Sequence, residues 1–256
     1  MENKLIKKLE AGGHGFGTFA EIGGANSIEA LGTTGLDFVI IDNEHSPHEG
    51  EASAEMIRAA ELAGITALCR VREISRPAIM KLLDIGAGGL IVPCVETVEQ
   101  VKSIVKYAKF APIGERGFCG TRKDGWGFTY PGPESFETQM AYWNKETMLI
   151  PQCETVGCLE HIEEIAALDG VDGIMIGPFD LSISMGMPGK FDDPVFKAAI
   201  ERILKAVKAA GKYAMVFTPT TANVKAYYEQ GFDLVVFSLD AAVLIDAYRK
   251  IVAEVS

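Results

Sequence analysis

The sequence predicts a (β/α)8 barrel of the TIM type, and three observations support this fold class. Short apolar runs alternate with helical patterns through about eight rounds, the order expected of a parallel sheet covered by helices. Several runs are apolar throughout, as burial on both faces requires. The chain has 256 residues, the usual size of one such barrel. We therefore expect a single domain over residues 1–256, with an open doubly wound sheet as the alternative.

The strands carry the clearest signal. The runs FVII at 38–41 and LVVF at 234–237 have no polar residue that could face solvent. Such runs fit parallel strands enclosed between a barrel interior and an outer layer of helices. The predicted strands are 15–21, 37–42, 66–71, 88–94, 147–153, 172–177, 213–218 and 234–238.

Helical patterns fill the intervals between these strands. Glycine closes several of them before the next strand begins, as left-handed helix ends require. After a short basic helix at the N-terminus, the predicted helices are 52–63, 77–85, 98–109, 157–168, 194–210, 222–230 and 241–255.

The segment 111–145 breaks this rhythm, since it is rich in glycine and proline and contains both tryptophans. A short helix is expected at 134–144. A connection of this length in a compact barrel is usually a lid, a binding loop or a subunit contact. Its aromatic side chains either cover the side of the barrel or meet a partner subunit; they are Trp126, Phe128, Tyr130, Tyr142 and Trp143.

Composition limits the partners. The chain has 35 acidic and 24 basic residues and a formal charge of −11, which disfavours nucleic acid and anionic membrane surfaces. The N-terminus lacks a secretory pattern and no apolar run reaches membrane-spanning length, so a cytoplasmic protein is expected. The five cysteines form no Cys-x-x-Cys pair, which indicates reduced thiols that mostly pack as small hydrophobic groups.

Two acidic residues, Glu154 and Asp180, follow the strand runs 147–152 and 173–177. The carboxyl ends of barrel strands converge on one face, where catalytic groups collect. Each acid alone fits an ordinary role, Glu154 at the barrel mouth and Asp180 as a helix cap. Together they predict an oxygen site for Mg²⁺ or Mn²⁺.

Strand parity adds Gln152 to this face, because it alternates with Cys153 and shares the direction of Glu154. Cys153 is then expected to pack against the helix layer. Arg70 ends the third strand, where a guanidinium inside a barrel needs an anion, such as a substrate oxyanion. The alternative for Arg70 is a structural ion pair with Glu44, Glu73 or Glu154, whereas Arg72 is expected at the surface.

His45 directly follows the second strand, beside acidic residues, and suits proton transfer. The remaining histidines are assigned no chemistry. No strand run ends in a lysine, and Lys212 begins a strand, at the opposite barrel end. Metal-assisted enolate chemistry is therefore favoured over a Schiff base.

In order along the chain, these motifs resemble the HpcH/HpaI aldolase family over nearly its whole length. The motifs are Asp42-x-Glu44-His45, Arg70, Leu83-Asp84-x-Gly86-Ala87, Val92-Pro93, Arg116-Gly117, Gln152-x-Glu154-Thr155 and Gly177-Pro178-x-Asp180-Leu181-Ser182.

The resemblance implies a barrel of the phosphoenolpyruvate/pyruvate-type superfamily. It further implies a homohexamer, a trimer of dimers in which the last helix packs on a neighbouring subunit. The implied activity is that of a class II aldolase, which cleaves or forms the C3–C4 bond of 4-hydroxy-2-keto acids. Its products are pyruvate, by way of the enolate, and an aldehyde.

The resemblance also implies residue roles. A divalent metal (Mg²⁺, Mn²⁺ or Co²⁺) would be held by Glu154 and Asp180. Arg70 would hold the ketone oxygen as it becomes an enolate, and His45 would transfer protons. Asp42 and Asp84 would support His45, with Asp84 supplied by an adjacent subunit. Gln152 would contact pyruvate, and the backbone at Gly177, Pro178, Phe179 and Asp180 would receive its carboxylate.

The aldehyde side is less defined, because the chain departs from the family pattern at Asn43 and in the loop after Arg116-Gly117. Phe19 and Glu21 of the first strand and the run Val216-Phe217-Thr218-Pro219 at the end of the seventh are expected to shape that side. Two alternatives remain. One is a CoA-ester lyase of the citryl or malyl type, which would need a basic groove of nucleotide size. The other is a non-catalytic barrel that binds a keto acid.

Overall fold

A computed structural model of the chain describes residues 2–128 and 135–256. Eight parallel strands pair in chain order and close into a barrel, because the first strand pairs with both the second and the eighth. The (β/α)8 prediction is confirmed, and the open-sheet alternative is wrong. The strands are β1 (Gly15–Ala20), β2 (Phe38–Asp42), β3 (Thr66–Arg70), β4 (Gly89–Val92), β5 (Met148–Cys153), β6 (Gly173–Ile176), β7 (Tyr213–Thr218) and β8 (Leu234–Leu239).

The strands divide their side chains between two apolar clusters. On β2, Phe38 and Ile40 join the cluster inside the barrel, while Val39 and Ile41 pack in the layer between strands and helices. On β8, Leu234 and Val236 point inward in the same way. Both faces are thus buried, which is why these runs lack polar residues.

Twelve α-helices surround the barrel in the described part of the chain. They are α1 (Lys4–Glu10), α2 (Ala25–Gly32), α3 (Glu51–Ala63), α4 (Arg76–Asp84), α5 (Val98–Ala108), α6 (Phe136–Lys145), α7 (Val156–Glu160), α8 (Ile162–Ala167), α9 (Pro178–Ser184), α10 (Pro194–Ala209), α11 (Ala222–Gln230) and α12 (Asp240–Val255).

Three helical assignments differ from the sequence prediction. The stretch 157–168 is two helices, since His161 leaves helical geometry between α7 and α8. The helices α2 and α9 were not predicted. Both have eight residues or fewer and directly follow glycine, so each is too short for an apolar period to be read with certainty from the sequence.

The N-terminal end of the barrel is closed by α1. Leu5 and Leu9 enter the inner cluster beside Phe38. Asn3 caps α1 and donates from its backbone N–H to Glu146 Oε2 at 2.5 Å, which ties the helix to the foot of β5. The interior therefore opens at the carboxyl ends of the strands.

The described part of the segment 111–145 is fixed to the N-terminal side of the barrel through Lys123, opposite those strand ends. Lys123 Nζ donates to the carbonyl of Ala87 at 3.0 Å and to Thr147 Oγ1 at 2.6 Å, just before β4 and β5 begin. Trp143 is buried, whereas Trp126 and Phe128 are exposed. Tyr130 and the predicted helix start at residue 134 lie outside the described residues. The observed contacts do not support a lid over the strand ends.

Burial lowers the pKa of Lys123 well below the ordinary lysine value of 10.5, and the charges of Arg116 and Lys109 act in the same direction. At a pH between the lowered and the ordinary pKa, the unfolded chain binds a proton that the folded chain does not. Relative to Lys123→Met, the wild-type free energy of unfolding should therefore rise with pH, by at most about 1.4 kcal/mol per pH unit.

Urea unfolding of both proteins from pH 7.5 to 9.5 measures this difference. Lys145→Met removes an exposed lysine from the same segment. The free energy of unfolding of the wild type relative to this variant should not rise with pH. If the difference in free energy of unfolding between wild type and Lys123→Met stayed constant with pH, the lowered pKa of Lys123 would be contradicted.

The last helix packs little against its own barrel. Beyond Ala241, every residue of α12 is exposed, including the apolar Leu244, Tyr248 and Ile251. Nearby, Phe16 of β1 and Phe237 of β8 stack with ring centroids 6.1 Å apart and stay only half-buried on the outer barrel wall. Among the described helices, none has the length and apolar character needed to cross a membrane.

Candidate active site

The carboxyl ends of the strands surround a cavity of about 180 Å³. Most of the residues predicted from sequence meet here. The cavity is lined by Phe19, Glu21, His45, Arg70, Gln152, Met175, Gly177, Pro178, Phe179, Asp180, Phe217 and Leu239. Polar groups on β3 and β5, and in the segments that directly follow β1, β2 and β6, therefore share one small space, as the barrel topology predicts.

Arg70 and Asp42 form a two-pronged ion pair at the ends of β3 and β2, which are neighbouring strands in register. Nε and Nη2 of Arg70 donate to Oδ1 and Oδ2 of Asp42 at 2.8 and 2.6 Å. Burial acts to raise the pKa of Asp42, but the hydrogen bonds and charge of Arg70 outweigh it and hold that pKa below its ordinary value. The guanidinium also lies 4.6 Å from the ring centre of Phe19, so it is held on two sides.

Glu44 adds a second carboxylate on the other side of Arg70. Its Oε2 lies 3.2 Å from Arg70 Nη1. Burial raises the pKa of Glu44, and the neighbouring charge of Asp42 acts in the same direction, against the attraction of Arg70 and His45. The ion pair between Arg70 and Glu44, which was one alternative role for this arginine, is thus present. Arg70 nevertheless lines the cavity.

Glu154 is buried at the end of β5 and is held by two donors. The backbone N–H of Cys94 donates to its Oε1 at 2.6 Å, and Gln152 Nε2 donates to its Oε2. Burial raises the pKa of Glu154, and the charges of Glu44 and Asp180 add to that rise. A cation at this point would relieve the repulsion among the three carboxylates.

The residues around Glu154 fit a hard metal ion. Gln152 Oε1 is buried without a hydrogen-bond partner. Gly177 leaves room beside it, since a Cβ there would lie 2.8 Å from Glu154 Oε2 and 2.9 Å from Gln152 Nε2. Asp180 lies in the first turn of α9 and is exposed at the cavity rim, not at the helix cap.

Within residues 2–128 and 135–256, no cluster of three or more acidic, histidine or cysteine side chains could hold a metal alone. The chain would thus supply Glu154 and Asp180, with water and substrate oxygens completing the shell, as Mg²⁺ usually requires. Oxygen donors favour Mg²⁺ or Mn²⁺ over softer ions.

His45 lines the cavity from the loop after β2, and its side chain is 66% exposed. Its nearest acid is Glu44, with Nε2 and Oε2 3.8 Å apart. Both oxygens of Asp42 receive hydrogen bonds from Arg70, so Asp42 is engaged by the arginine in this chain and its support of His45 stays a prediction. Sequence alone could not choose between these two partners.

Asp84 lies outside the cavity of its own chain. It ends α4 and accepts a hydrogen bond from Arg116 Nη2 at 2.6 Å. Of the residues predicted at the end of β7, Phe217 takes the inward direction of Met215 and lines the cavity. Val216 packs in the outer layer with Ala214 and borders a second cavity, between α10 and α11, together with Phe217, Thr218 and Pro219.

Two further residues were missed by sequence reasoning. Cys94 was expected to pack as a small hydrophobic group, yet it is exposed, has a left-handed backbone (φ 55°) and directs its N–H to Glu154. Leu239 enters the cavity from the end of β8. By contrast, the parity argument for β5 is confirmed, since Gln152 lines the cavity and Cys153 packs in the outer layer.

Comparisons with known proteins agree with this geometry. A family model described as HpcH/HpaI aldolase/citrate lyase matches residues 16–247. A hydroxypyruvate/pyruvate aldolase of Chromohalobacter salexigens is 36% identical over 242 residues, 93% of this chain and 92% of that protein. A 2-keto-3-deoxy-L-rhamnonate aldolase of Escherichia coli K12 is 30% identical over 249 residues, 96% of this chain and 91% of that protein.

Among solved structures, a HpcH/HpaI aldolase/citrate lyase family protein from Burkholderia cenocepacia J2315 superimposes with a TM-score of 0.90. It is 31% identical, and the match covers 99% of both chains. The similarity therefore extends over the whole barrel.

Proposed function

The chain belongs to the HpcH/HpaI aldolase/citrate lyase family, and from this premise we propose how its cavity acts as the site of a class II aldolase. Such an enzyme is a carbon–carbon lyase that cleaves 4-hydroxy-2-keto acids to pyruvate and an aldehyde, or joins them. One observation carries the proposal. Arg70, Gln152 and Asp180 line one small cavity at the strand ends, and the buried Glu154 lies directly behind Gln152, which donates to it and whose own amide oxygen has no partner.

In this proposal, Glu154 and Asp180 hold a divalent cation, Mg²⁺, Mn²⁺ or Co²⁺. When bound, such an ion acts as a Lewis acid that polarises the keto group. Gln152 orients the keto acid with its amide N–H, and its free Oε1 would accept a hydrogen bond from a metal-bound water. Gly177 keeps this space open, and the backbone at 177–180, with Pro178 and Phe179, receives the substrate carboxylate.

Arg70 stabilises the enolate oxygen of pyruvate when the C3–C4 bond breaks. A fixed guanidinium directed at developing negative charge needs no reorganisation during the reaction. Asp42 is the positioning residue for Arg70. It accepts hydrogen bonds from Nε and Nη2 of the guanidinium and so keeps Nη1 directed towards Glu44 and the cavity.

His45 accepts the proton of the C4 hydroxyl during cleavage and returns a proton in the reverse direction. Within one chain, Glu44 is the carboxylate that can orient its ring. Asp84 serves His45 only if it comes from a neighbouring copy, since in its own chain it is paired with Arg116 outside the cavity.

The proposed reaction can be tested by cleavage of 4-hydroxy-2-oxopentanoate, with pyruvate measured by lactate dehydrogenase and NADH. We expect pyruvate release that stops with EDTA and returns with Mg²⁺ or Mn²⁺. Release that is insensitive to EDTA in metal-depleted protein would contradict the proposed metal site.

The other readings are less well supported. A CoA-ester lyase needs cations for the phosphates of its substrate, yet Glu21 and Asp180 line the mouth and Arg70 is engaged by Asp42. A non-catalytic barrel does not require a buried arginine beside three carboxylates, since such groups are costly to bury.

We also propose that the chain assembles with copies of itself, as a hexamer built from dimers, through exchange of α12. The apolar face of α12 is exposed, and the outer wall at Phe16 and Phe237, where an eighth barrel helix would pack, is only half-covered. In a pair of identical chains, α12 of each copy can cover the outer wall at Phe16 and Phe237 of the other, so both exposed surfaces are buried together.

The double substitution Leu244→Asp and Ile251→Asp should reduce the assembly to smaller species, because charge on this face opposes burial against a neighbour. Light scattering coupled to size-exclusion chromatography measures the mass. Lys250→Asp, at an exposed charged position of α12 that does not line the apolar pocket containing Leu244, is the matched control and should leave the mass unchanged. A wild-type monomer at tens of micromolar protein would contradict helix exchange.

We place the protein in the cytoplasm, acting as one domain over residues 1–256. The free state of its five cysteines, two of them exposed, supports a reducing compartment.

A further inference from the structure

A chain of phenylalanines leads away from the catalytic cavity. Ring centroids of Phe19 and Phe217 lie 6.0 Å apart, and those of Phe217 and Phe179 also 6.0 Å. Phe179 meets Phe191 at 5.0 Å, and Phe191 meets Phe196 at 5.6 Å, both nearly edge-to-face. We call these five side chains the aromatic wall. It runs from β1 across β7 to α10.

The aromatic wall borders a second, larger cavity of about 700 Å³ between α9, α10 and α11. This groove and the catalytic cavity share Pro178, Phe179 and Phe217 as lining residues, so the two spaces adjoin. Phe179 stands at their junction and is 45% exposed. A large apolar side chain exposed at such a junction is typical of a surface that a ligand covers.

The charged groups that line the groove leave little to attract an anion. Lys197 pairs with Asp192 at 2.9 Å, both side chains are exposed, and Lys197 is the basic side chain among the described lining residues. Glu201 also lines the groove, and Glu21 lines the catalytic cavity. An aldehyde with its own carboxylate would meet these acids without a free cation.

We propose that the acceptor aldehyde of this enzyme is uncharged and carries an aromatic or comparably large apolar side chain, which lies along the aromatic wall. This inference rests on the proposed aldolase function and names the substrate class for its aldehyde half. In the synthetic direction, pyruvate loses a methyl proton and its C3 forms a bond to the aldehyde carbon. The aldehyde oxygen takes up a proton, so all atoms are retained in the 4-hydroxy-2-keto acid.

The test is the kcat/KM of the synthetic direction at saturating pyruvate, with product measured by liquid chromatography. The aldehydes are phenylacetaldehyde, glyceraldehyde, glyoxylate and succinic semialdehyde. We expect phenylacetaldehyde to exceed each of the others by about tenfold or more, since one well-filled apolar pocket discriminates by about that factor. Preference for a charged aldehyde, or for glyceraldehyde, would overturn the inference.

Substitutions in the aromatic wall test whether it causes the preference for phenylacetaldehyde. Phe179→Ala and Phe191→Ala should lower the ratio of kcat/KM for phenylacetaldehyde to that for glyceraldehyde by about tenfold. Both side chains are partly exposed, so folding should survive. Phe128→Ala removes a phenylalanine that is 91% exposed on another surface and should keep the wild-type ratio. An unchanged ratio in both wall variants would overturn the inference.

The proposed function is tested separately by exchange of pyruvate methyl protons with deuterated solvent, which needs no aldehyde. Exchange without turnover of phenylacetaldehyde overturns the inference alone. Absence of exchange with metal present overturns the proposed function and this inference with it.

Discussion

Replacement of Arg70 with alanine should reduce the rate of pyruvate methyl-proton exchange by about two to three orders of magnitude, the usual cost of removing one oxyanion donor. Arg70 is the arginine that lines the cavity, and its position is fixed by Asp42 and by the ring of Phe19. The rate is measured by NMR as loss of the methyl signal in D₂O at saturating Mg²⁺.

The same substitution leaves Asp42 buried without its partner, which costs about 3–5 kcal/mol in comparable pairs. Circular dichroism and Mn²⁺ binding therefore accompany the rate measurement. Arg70→Lys keeps a charge but loses the fork to Asp42, and it should fall between wild type and Arg70→Ala. Arg72→Ala removes a surface arginine two residues away and should keep the wild-type rate. Equal rates for wild type and a folded Arg70→Ala would exclude the enolate role.

Substitution of Glu154 with glutamine should weaken Mn²⁺ binding by at least about 100-fold, because removal of a direct ligand should exceed the typical effect of an outer-shell partner. The amide is nearly the same size and can still accept the hydrogen bond from the Cys94 N–H. Aldol cleavage should fall together with metal binding. Titration followed by electron paramagnetic resonance measures the affinity.

Stability provides the second readout for Glu154→Gln. Burial and two neighbouring carboxylates raise the pKa of Glu154, so its charge is unfavourable without a cation. The variant should therefore be at least as stable as metal-free wild type. Glu96→Gln, an exposed acid near the same strand ends, is the control and should bind Mn²⁺ as wild type does. Unaltered Mn²⁺ affinity in Glu154→Gln would show that Glu154 is not a metal ligand.

Local sequence patterns were sufficient for the barrel and for much of the site. Mostly apolar runs, several of them continuous, located all eight strands, because most strand side chains are buried either inside the barrel or under the helices. Alternation within a strand also placed Gln152 and Cys153 on opposite sides of β5. Such information is local, since it depends only on the direction of successive side chains.

Choices between distant partners could not be made from sequence. Asp42 was assigned to His45, its neighbour in the motif, but Arg70 from the adjacent strand offers two donors in register. Asp84 is likewise paired with Arg116, 32 residues further along the chain. Cys94 contributes through its backbone in a left-handed conformation, which its side-chain type does not indicate.

The central claim is that this cavity forms the enolate of pyruvate with a divalent metal at Glu154 and Asp180. The most direct measurement is deuterium exchange into pyruvate by wild-type protein with EDTA, Mg²⁺ or Mn²⁺, in the absence of any aldehyde. We expect exchange of the pyruvate methyl protons that requires metal and is lost in Glu154→Gln. No exchange by wild-type protein with Mn²⁺ demonstrably bound would contradict it.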